Sequence, residues 1–200
     1  MADTAVSRRD RKKEETRSRL VRVAVQLFRE QGFEVTTVDA IIERADVAKG
    51  TFFNYFPRKE AVLAGLSEEP LIEAEERADA ILAADKATGE KLLDLLAAAA
   101  AAYEKDRELS RFVLLELMKR AFLPAEEIHA RWHKLLARFV EQGQWTGDVR
   151  REIDTGRAAA MIQLVFNTTV LDWVCSPAGG FVLHDEIRVR LSLLFEGLAE

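Results

Sequence analysis

From Thr16 to Gln31 the apolar residues Leu20, Val23, Ala24, Leu27 and Phe28 recur at the spacing that gathers side chains on one face of an α-helix, and Gly32 supplies a stop. A second helix follows. Thr36 or Thr37 can cap it, with Val38, Ile41, Ile42 and Ala45 facing inward. The pattern breaks at Asp46 and Val47, and a short third helix is predicted over Lys49–Tyr55, beginning near Gly50. Pro57 suits the first turn of a fourth helix, whose positive end Glu60 would favour.

Beyond residue 60 the elements lengthen and their apolar faces widen. Ala61, Val62, Leu63 and Leu66 lead into the acidic segment LIEAEERADAILAA, which Pro70 is placed to kink or divide. Gly89 marks a turn before EKLLDLLAAAAAAYEK, where alanine and leucine supply strong helix propensity. Further helices are predicted at Glu108–Phe122, Ala125–Glu141, Thr155–Val174 and Leu183–Leu198, separated by Pro124, GQWTGD and SPAGG. No run of alternating β-branched residues argues for a sheet. The expected fold is therefore all-α: a small N-terminal helical domain over residues 1–60 and a larger one over 61–200.

Two of the later helices are apolar on more than one side. AAAMIQLVFNTTVLDWV has almost no polar face, and in the last helix Ile187, Leu191, Leu194 and Leu198 take one side while Val189 and Leu193 fall elsewhere. Pairing each with its symmetry mate would bury the surplus, which predicts a homodimer through the last two long helices.

Charge separates the two domains as well. The net charge of −5 conceals 13 Lys and Arg against 10 Asp and Glu in residues 1–60, and 16 against 24 in the remainder. A basic end on an acidic body suits a chain of which only that end meets phosphate. No stretch of about 18 uncharged apolar residues appears and the N-terminus turns charged at once, so neither a membrane span nor a secretory signal is expected. With the single Cys175, which can form no internal disulfide, this gives the cytoplasm as the expected location.

The segment TTVDAIIERADVAKGTFFNYFPRKEAVL, Thr36 to Leu63, carries the functional signal. A helix, a tight turn and a short helix form a helix-turn-helix whose second member can enter a major groove about 12 Å wide while the first braces it. Lys49, Thr51, Asn54 and Tyr55 can face outward while Phe52 and Phe56 pack behind them. A three-helix bundle with no DNA partner is the structural alternative. Arg8, Arg9, Arg11, Lys12, Lys13, Arg17, Arg19 and Arg22 make the approach to the first helix positive, suited to holding a duplex; Arg17 is taken as the contact among them.

Leu27, Phe28, Gly32, Phe33, Thr36, Thr37, Val38, Ile41, Ala45, Val47, Gly50, Thr51, Tyr55, Phe56, Lys59, Glu60 and Leu63 together resemble the TetR family of bacterial repressors. The resemblance implies an all-helical homodimer, operator binding through the third helix of each subunit, and release from double-stranded operator DNA when a small molecule enters the C-terminal domain. It also implies that Thr37, Thr51, Tyr55 and Lys59 are DNA contacts, all but Thr51 to phosphate. Three positions depart from the family's pattern. Asp46 stands where glycine is usual, Ala48 replaces a serine that could cap the recognition helix, and Phe53 replaces a tyrosine.

In the larger domain the expected effector is small and mostly apolar. Phe112, Phe166 and Trp173 are candidate lining residues, with Glu116, Gln163 and Asn167 as polar groups embedded in apolar segments. Each polar residue also has the plainer reading of a satisfied core or interface hydrogen bond. His129 and His133 lie four residues apart in HARWH, a spacing that could share a metal. The pattern is not HExxH, however, and they are read as a surface pair with no metal. No nucleophile, base and orienting acid can be assigned, and no catalytic residue or cofactor is expected. An enzyme or small-molecule carrier using the same helical cavity is the alternative of a different class.

Overall fold

The computed structural model describes residues 8–119, 126–177 and 180–196, which form ten helices with no strand among them. Contacts divide the chain into two compact units, one reaching Leu66 and the other starting at Ser67.

In the first unit α1 spans Arg8–Gln31, α2 Val38–Ala45, α3 Lys49–Tyr55 and α4 Glu60–Ser67. Helix α1 starts eight residues before the predicted Thr16, because the charged RRDRKKEE stretch has good helix propensity although it lacks an apolar face. Leu20, Ala24, Leu27 and Phe28 are buried as their spacing predicts, whereas Val23 is half-buried and Val25 goes inside. Gly32 ends the helix at φ +89, a left-handed conformation, with its amide bonded to the Phe28 carbonyl at 3.0 Å. Phe28, Phe33, Phe52 and Phe56 form the aromatic centre of the unit; Phe28 and Phe33 lie 4.7 Å apart and Phe52 and Phe56 5.7 Å apart. Pro57 stands ahead of α4. Tight turns from Arg58 and Lys59 to Ala61 and Val62 intervene, so the α-helix proper begins at Glu60.

The second unit contains α5 Glu69–Leu82, α6 Thr88–Glu104, α7 Arg107–Lys119, α8 Glu126–Thr146, α9 Thr155–Cys175 and α10 Leu183–Glu196. Pro70 does divide the acidic segment from what precedes it, sitting in the first turn of α5 where its missing N–H costs nothing. Gly89 falls inside the first turn of α6, and α8 runs through GQWT to Thr146, both more helical than predicted. Pro124, Phe122 and Leu198 lie outside the described residues. Helix α5 packs on α6, α8 on α9, and α10 on both α6 and α9. The core between them holds Leu92, Leu96, Trp132, Leu136, Phe139, Ile162, Phe166, Val170 and Leu191.

Helix α9 divides along its length. Ala158, Ala159, Ile162, Gln163, Phe166, Val170, Trp173 and Val174 point into the core, while Met161 and Leu164 remain about half exposed. Among the described residues it is the one helix long and apolar enough to cross a membrane, but half of that window is buried among other helices. On α10, Ile187 and Leu191 are core, and Val189 and Leu193 are exposed. Leu191, fully buried, therefore belongs to the protomer core, and the surplus apolar face is that of Val189 and Leu193.

Helix ends in this unit are closed by side chains from elsewhere in the chain. Lys91, buried, donates to the Leu82 carbonyl at the C-terminus of α5 (2.9 Å) and to Gln142 Oε1 (3.0 Å), placing a cation at the negative end of that helix. Ala87 has no side-chain oxygen with which to cap α6. Asp148 supplies one, accepting from the Thr88 amide (3.2 Å) and hydroxyl (3.0 Å). The approach is close enough that a Cβ on Gly143 would meet Thr88 Oγ1 at 2.5 Å and Val149 at 2.7 Å. Local desolvation would raise the exposed Asp148 carboxyl, but the Thr88 bonds, the Thr146 hydroxyl and the charge of Lys91 together hold it below the usual carboxylate range. Its stabilising effect is thus complete above the unfolded value near pH 4 and is lost as pH falls through the lower folded value. Asp148→Asn is expected to lower stability at pH 7 and to flatten its dependence on pH below about 4, as measured by urea unfolding across that range.

Candidate nucleic-acid interface and effector region

Thr37 is the residue that caps α2: its backbone is extended (φ −101, ψ 157) and its hydroxyl accepts from the Ala40 amide at 3.1 Å. Thr36 is fully buried, donating to the Gly32 carbonyl and accepting from Gln31. At the other end of α2, Asp46 adopts φ 50, ψ 58. Its amide bonds the Glu43 carbonyl and the Val47 amide bonds the Ile42 carbonyl, the paired closure of a Schellman turn with aspartate in the place glycine fills most cheaply. The turn delivers α3 at the required break in direction, without a side-chain cap from Ala48.

On α3 the exposed arc is Lys49, Gly50, Phe53 and Asn54; Thr51 and Tyr55 are half-buried on its flank, and Phe52 faces the core. Lys49 pairs with Asp39 of α2 at 2.8 Å, both well exposed. Phe53, 45% exposed and set edge-on to Phe52 at 5.5 Å, belongs to this surface although it was not among the candidate contacts. Its position four residues after Lys49 was the available signal. Arg17 is half-buried on α1, its guanidinium 5.8 Å from the centre of the Phe56 ring. Lys12, Lys13, Arg19 and Arg22 are exposed; the side chains of Arg8, Arg9 and Arg11 lie outside the described set.

Lys59 is held differently from the exposed lysines. Its ammonium donates to the carbonyls of Phe33 (2.7 Å), Thr36 (2.8 Å) and Glu34 (3.2 Å) and lies 4.5 Å from the centre of the Phe33 ring. Three bonds use all three protons. Any proton offered to phosphate must come from one of these carbonyls, and in this conformation the residue ties the start of α4 to the loop that leads into α2.

In the second unit Gln163, Phe166 and Trp173 lie on the inward face of α9, and Asn167 is exposed. Asn167 therefore does not join the other three, since a step of one residue past Phe166 turns the helix by about 100°. Phe112 and Glu116 are half-buried on α7, which packs against α9 and α6. Around Phe166 stand Trp132 at 5.6 Å and Tyr103 at 6.2 Å, and burial pushes the Tyr103 phenol up to about 12, so it stays neutral. Arg107 lies over Trp173 at 5.1 Å and donates to the Trp173 and Ser176 carbonyls at 2.6 Å each, closing the C-terminus of α9 with a cation. Gln163 Nε2 lies 3.2 Å from His129 Nδ1, while its Oε1 is buried with no hydrogen-bond partner among the described residues. An unmet buried acceptor of this kind costs about 1–3 kcal/mol. His133 meets the Gly156 carbonyl at 3.0 Å, so the two histidines face different partners; no cluster of three or more metal-ligating side chains occurs among the described residues.

The family model "Bacterial regulatory proteins, tetR family" matches residues 20–66, the whole of the capped helix-turn-helix just described. The structure of Thermus thermophilus FadR, a TetR-family repressor in complex with lauroyl-CoA, is 28% identical, with a TM-score of 0.72 over 92% of this chain and 95% of that one. Residues 20–66 thus form a TetR-family regulatory head. The chain is a transcriptional regulator that carries this head. The fatty acid metabolism regulator protein of Bacillus subtilis is 26% identical over 158 residues, 78% of this chain and 81% of that protein. The regulator TcmR of Streptomyces glaucescens is 48% identical, but over only 54 residues, 27% of this chain and 24% of that protein. Similarity to TcmR is thus confined to about a quarter of each chain, and the FadR likeness extends through the second unit. Lys59→Met is expected to destabilise this TetR-family head by about 1–3 kcal/mol, the range for a charged hydrogen-bonding group removed from backbone acceptors. Chemical unfolding followed by circular dichroism measures it; an unchanged midpoint would show that the three carbonyl bonds contribute nothing.

Proposed function

We propose that this regulator is a repressor that binds a roughly palindromic operator as a homodimer and leaves it when a fatty acyl-CoA occupies the helices around α9. In this reading residues 1–60 read DNA and residues 61–200 bind effector and partner. The carrying observation is the whole-length likeness to a repressor whose structure contains lauroyl-CoA, extending over the second unit as well as the head. Several features of this chain support it. The inward face of α9 is apolar and aromatic around one unsatisfied polar atom, which suits an acyl chain followed by a polar group. Phe112, Glu116, Gln163, Phe166 and Trp173 are the proposed effector residues. Asn167, on the outer face with Leu164, is better matched to a subunit contact.

Helix α3 would enter the major groove with Lys49 and Asn54 foremost, and Thr37, Thr51, Tyr55, Lys59 and Arg17 would meet the backbone from its flanks. Lys49 reaches DNA by exchanging Asp39 for phosphate, at little cost because the ion pair is exposed. The second subunit would cover Met161, Leu164, Val189 and Leu193, setting two reading heads at one spacing. An acyl-CoA can dislodge the dimer only by binding the DNA-incompetent arrangement more tightly. A preference of about 100-fold supplies roughly 2.7 kcal/mol.

Selecting bound duplexes from a random library and then titrating the best complex with lauroyl-CoA tests both halves. The expected result is an enriched inverted repeat whose affinity falls at least tenfold with lauroyl-CoA and is unchanged by coenzyme A alone. Lys49→Ala should weaken all sequences alike, and Asn54→Ala should change base preference. Saturation by lauroyl-CoA with no loss of operator affinity would contradict effector-controlled release, and failure to enrich any duplex would contradict operator reading.

A further inference from the structure

The second unit pairs a polar layer with an aromatic one. His129 and Trp132 are one turn apart on α8, Gln163 and Phe166 one turn apart on α9; the first of each pair meet at 3.2 Å and the second at 5.6 Å. Gln163 is only 4% exposed and is flanked on α9 by Ile162 and Phe166, so its carboxamide is buried against the apolar core although its partner His129 is exposed. Its NH2 group is turned to His129 Nδ1, which accepts in the tautomer protonated at Nε2. Its carbonyl oxygen meets no donor among the described residues. Buried polar atoms are rarely left in this state, and an unmet acceptor inside a ligand-responsive core is one that a ligand can satisfy.

We propose that Gln163 Oε1 is the polar selector of the effector region, choosing ligands that carry a hydrogen-bond donor next to an apolar chain, with His129 acting as the positioning residue that turns the carboxamide. The proposal rests on the acyl-CoA reading above and adds the chemistry of the contact. Two sources supply such a donor: an amide N–H of the coenzyme A arm, present in every acyl-CoA, or a hydroxyl on the acyl chain itself. Either gives up a hydrogen bond to water on entry and regains one from Gln163. A purely hydrocarbon ligand leaves the carbonyl unmet and gains only from apolar burial. The carboxamide thus discriminates by penalty as well as by attraction.

Gln163→Met keeps the length and approximate volume of the side chain and removes its acceptor. Wild-type and Gln163→Met full-length chains, with Gln163→Leu as a second variant, would be titrated with lauroyl-CoA, 3-hydroxylauroyl-CoA and methyl laurate, binding being read from tryptophan fluorescence. Thermal unfolding would be followed without ligand. The expected result is at least a tenfold loss of affinity for the coenzyme A esters in both variants, with methyl laurate unchanged or tightened, and a melting temperature equal to or above that of the wild type. A wild-type preference for the hydroxylated ester that disappears in the variants assigns the donor to the chain; equal loss for both esters assigns it to the arm. If the esters bind and the variants lose nothing, or lose all three ligands alike, the selector is wrong and the acyl-CoA reading stands. A large fall in melting temperature in both variants would show that Oε1 is already satisfied within the protein and would overturn the selector too. If none of the three ligands binds the wild type, the acyl-CoA reading fails and takes the selector with it.

Discussion

Helix α9 sets the terms for the second unit because it has too much apolar surface for one interior. Its inward arc, from Ala158 through Ile162, Phe166 and Val170 to Val174, fills the space between α6, α7, α8 and α10. Its outward arc keeps Met161 and Leu164 exposed, and α10 adds Val189 and Leu193. Each such side chain left in water forgoes about 1.5–3 kcal/mol of available burial. A helix with this distribution is stable in the protomer and still offers surface to a second copy. The arrangement also puts Gln163 at the edge of the inward arc, where it can be buried without being fully bonded.

The head solves a different problem. It is too small to be held by apolar area alone, so its geometry depends on closing backbone groups at every turn. Gly32 closes α1, Thr37 opens α2, the Asp46 turn closes it, and Lys59 gathers three carbonyls of the intervening loop. Aspartate at a left-handed position and alanine at the start of α3 are weaker solutions than glycine and serine would be, yet the buried quartet of phenylalanines remains intact around them. The surface that α3 presents is formed by Lys49, Phe53 and Asn54.

Helix positions were legible wherever an apolar face of period 3.6 met a capping residue. The α2–turn–α3 segment and α9 were placed to within a residue or two. The start of α1 was not, because Arg8–Glu15 have helix propensity but no core-facing residue to announce them. The end of α8 was missed for a related reason, since Gly143 reads as a break but is needed for close approach to Thr88. On the candidate interface, the exposure of Lys49 and Asn54 on α3 was legible from local pattern alone. The bracing role of Lys59 was invisible, because its acceptors are backbone atoms more than twenty residues earlier. That Asn167 is exposed was not legible for want of phase: in a helix apolar nearly all round, composition does not say which side faces in.

The outward arc of α9 and its neighbours on α10 form the surface expected to join two copies of the chain. Sedimentation equilibrium of the wild type beside Leu164→Lys and Leu193→Glu tests it most directly, since both residues are exposed in the protomer and neither is needed for its core. The predicted result is a dimer for the wild type at micromolar concentration and folded monomers for both variants, with circular dichroism unchanged. A wild type that sediments as a monomer throughout that range, or charged variants that dimerise as tightly as the parent, would contradict it.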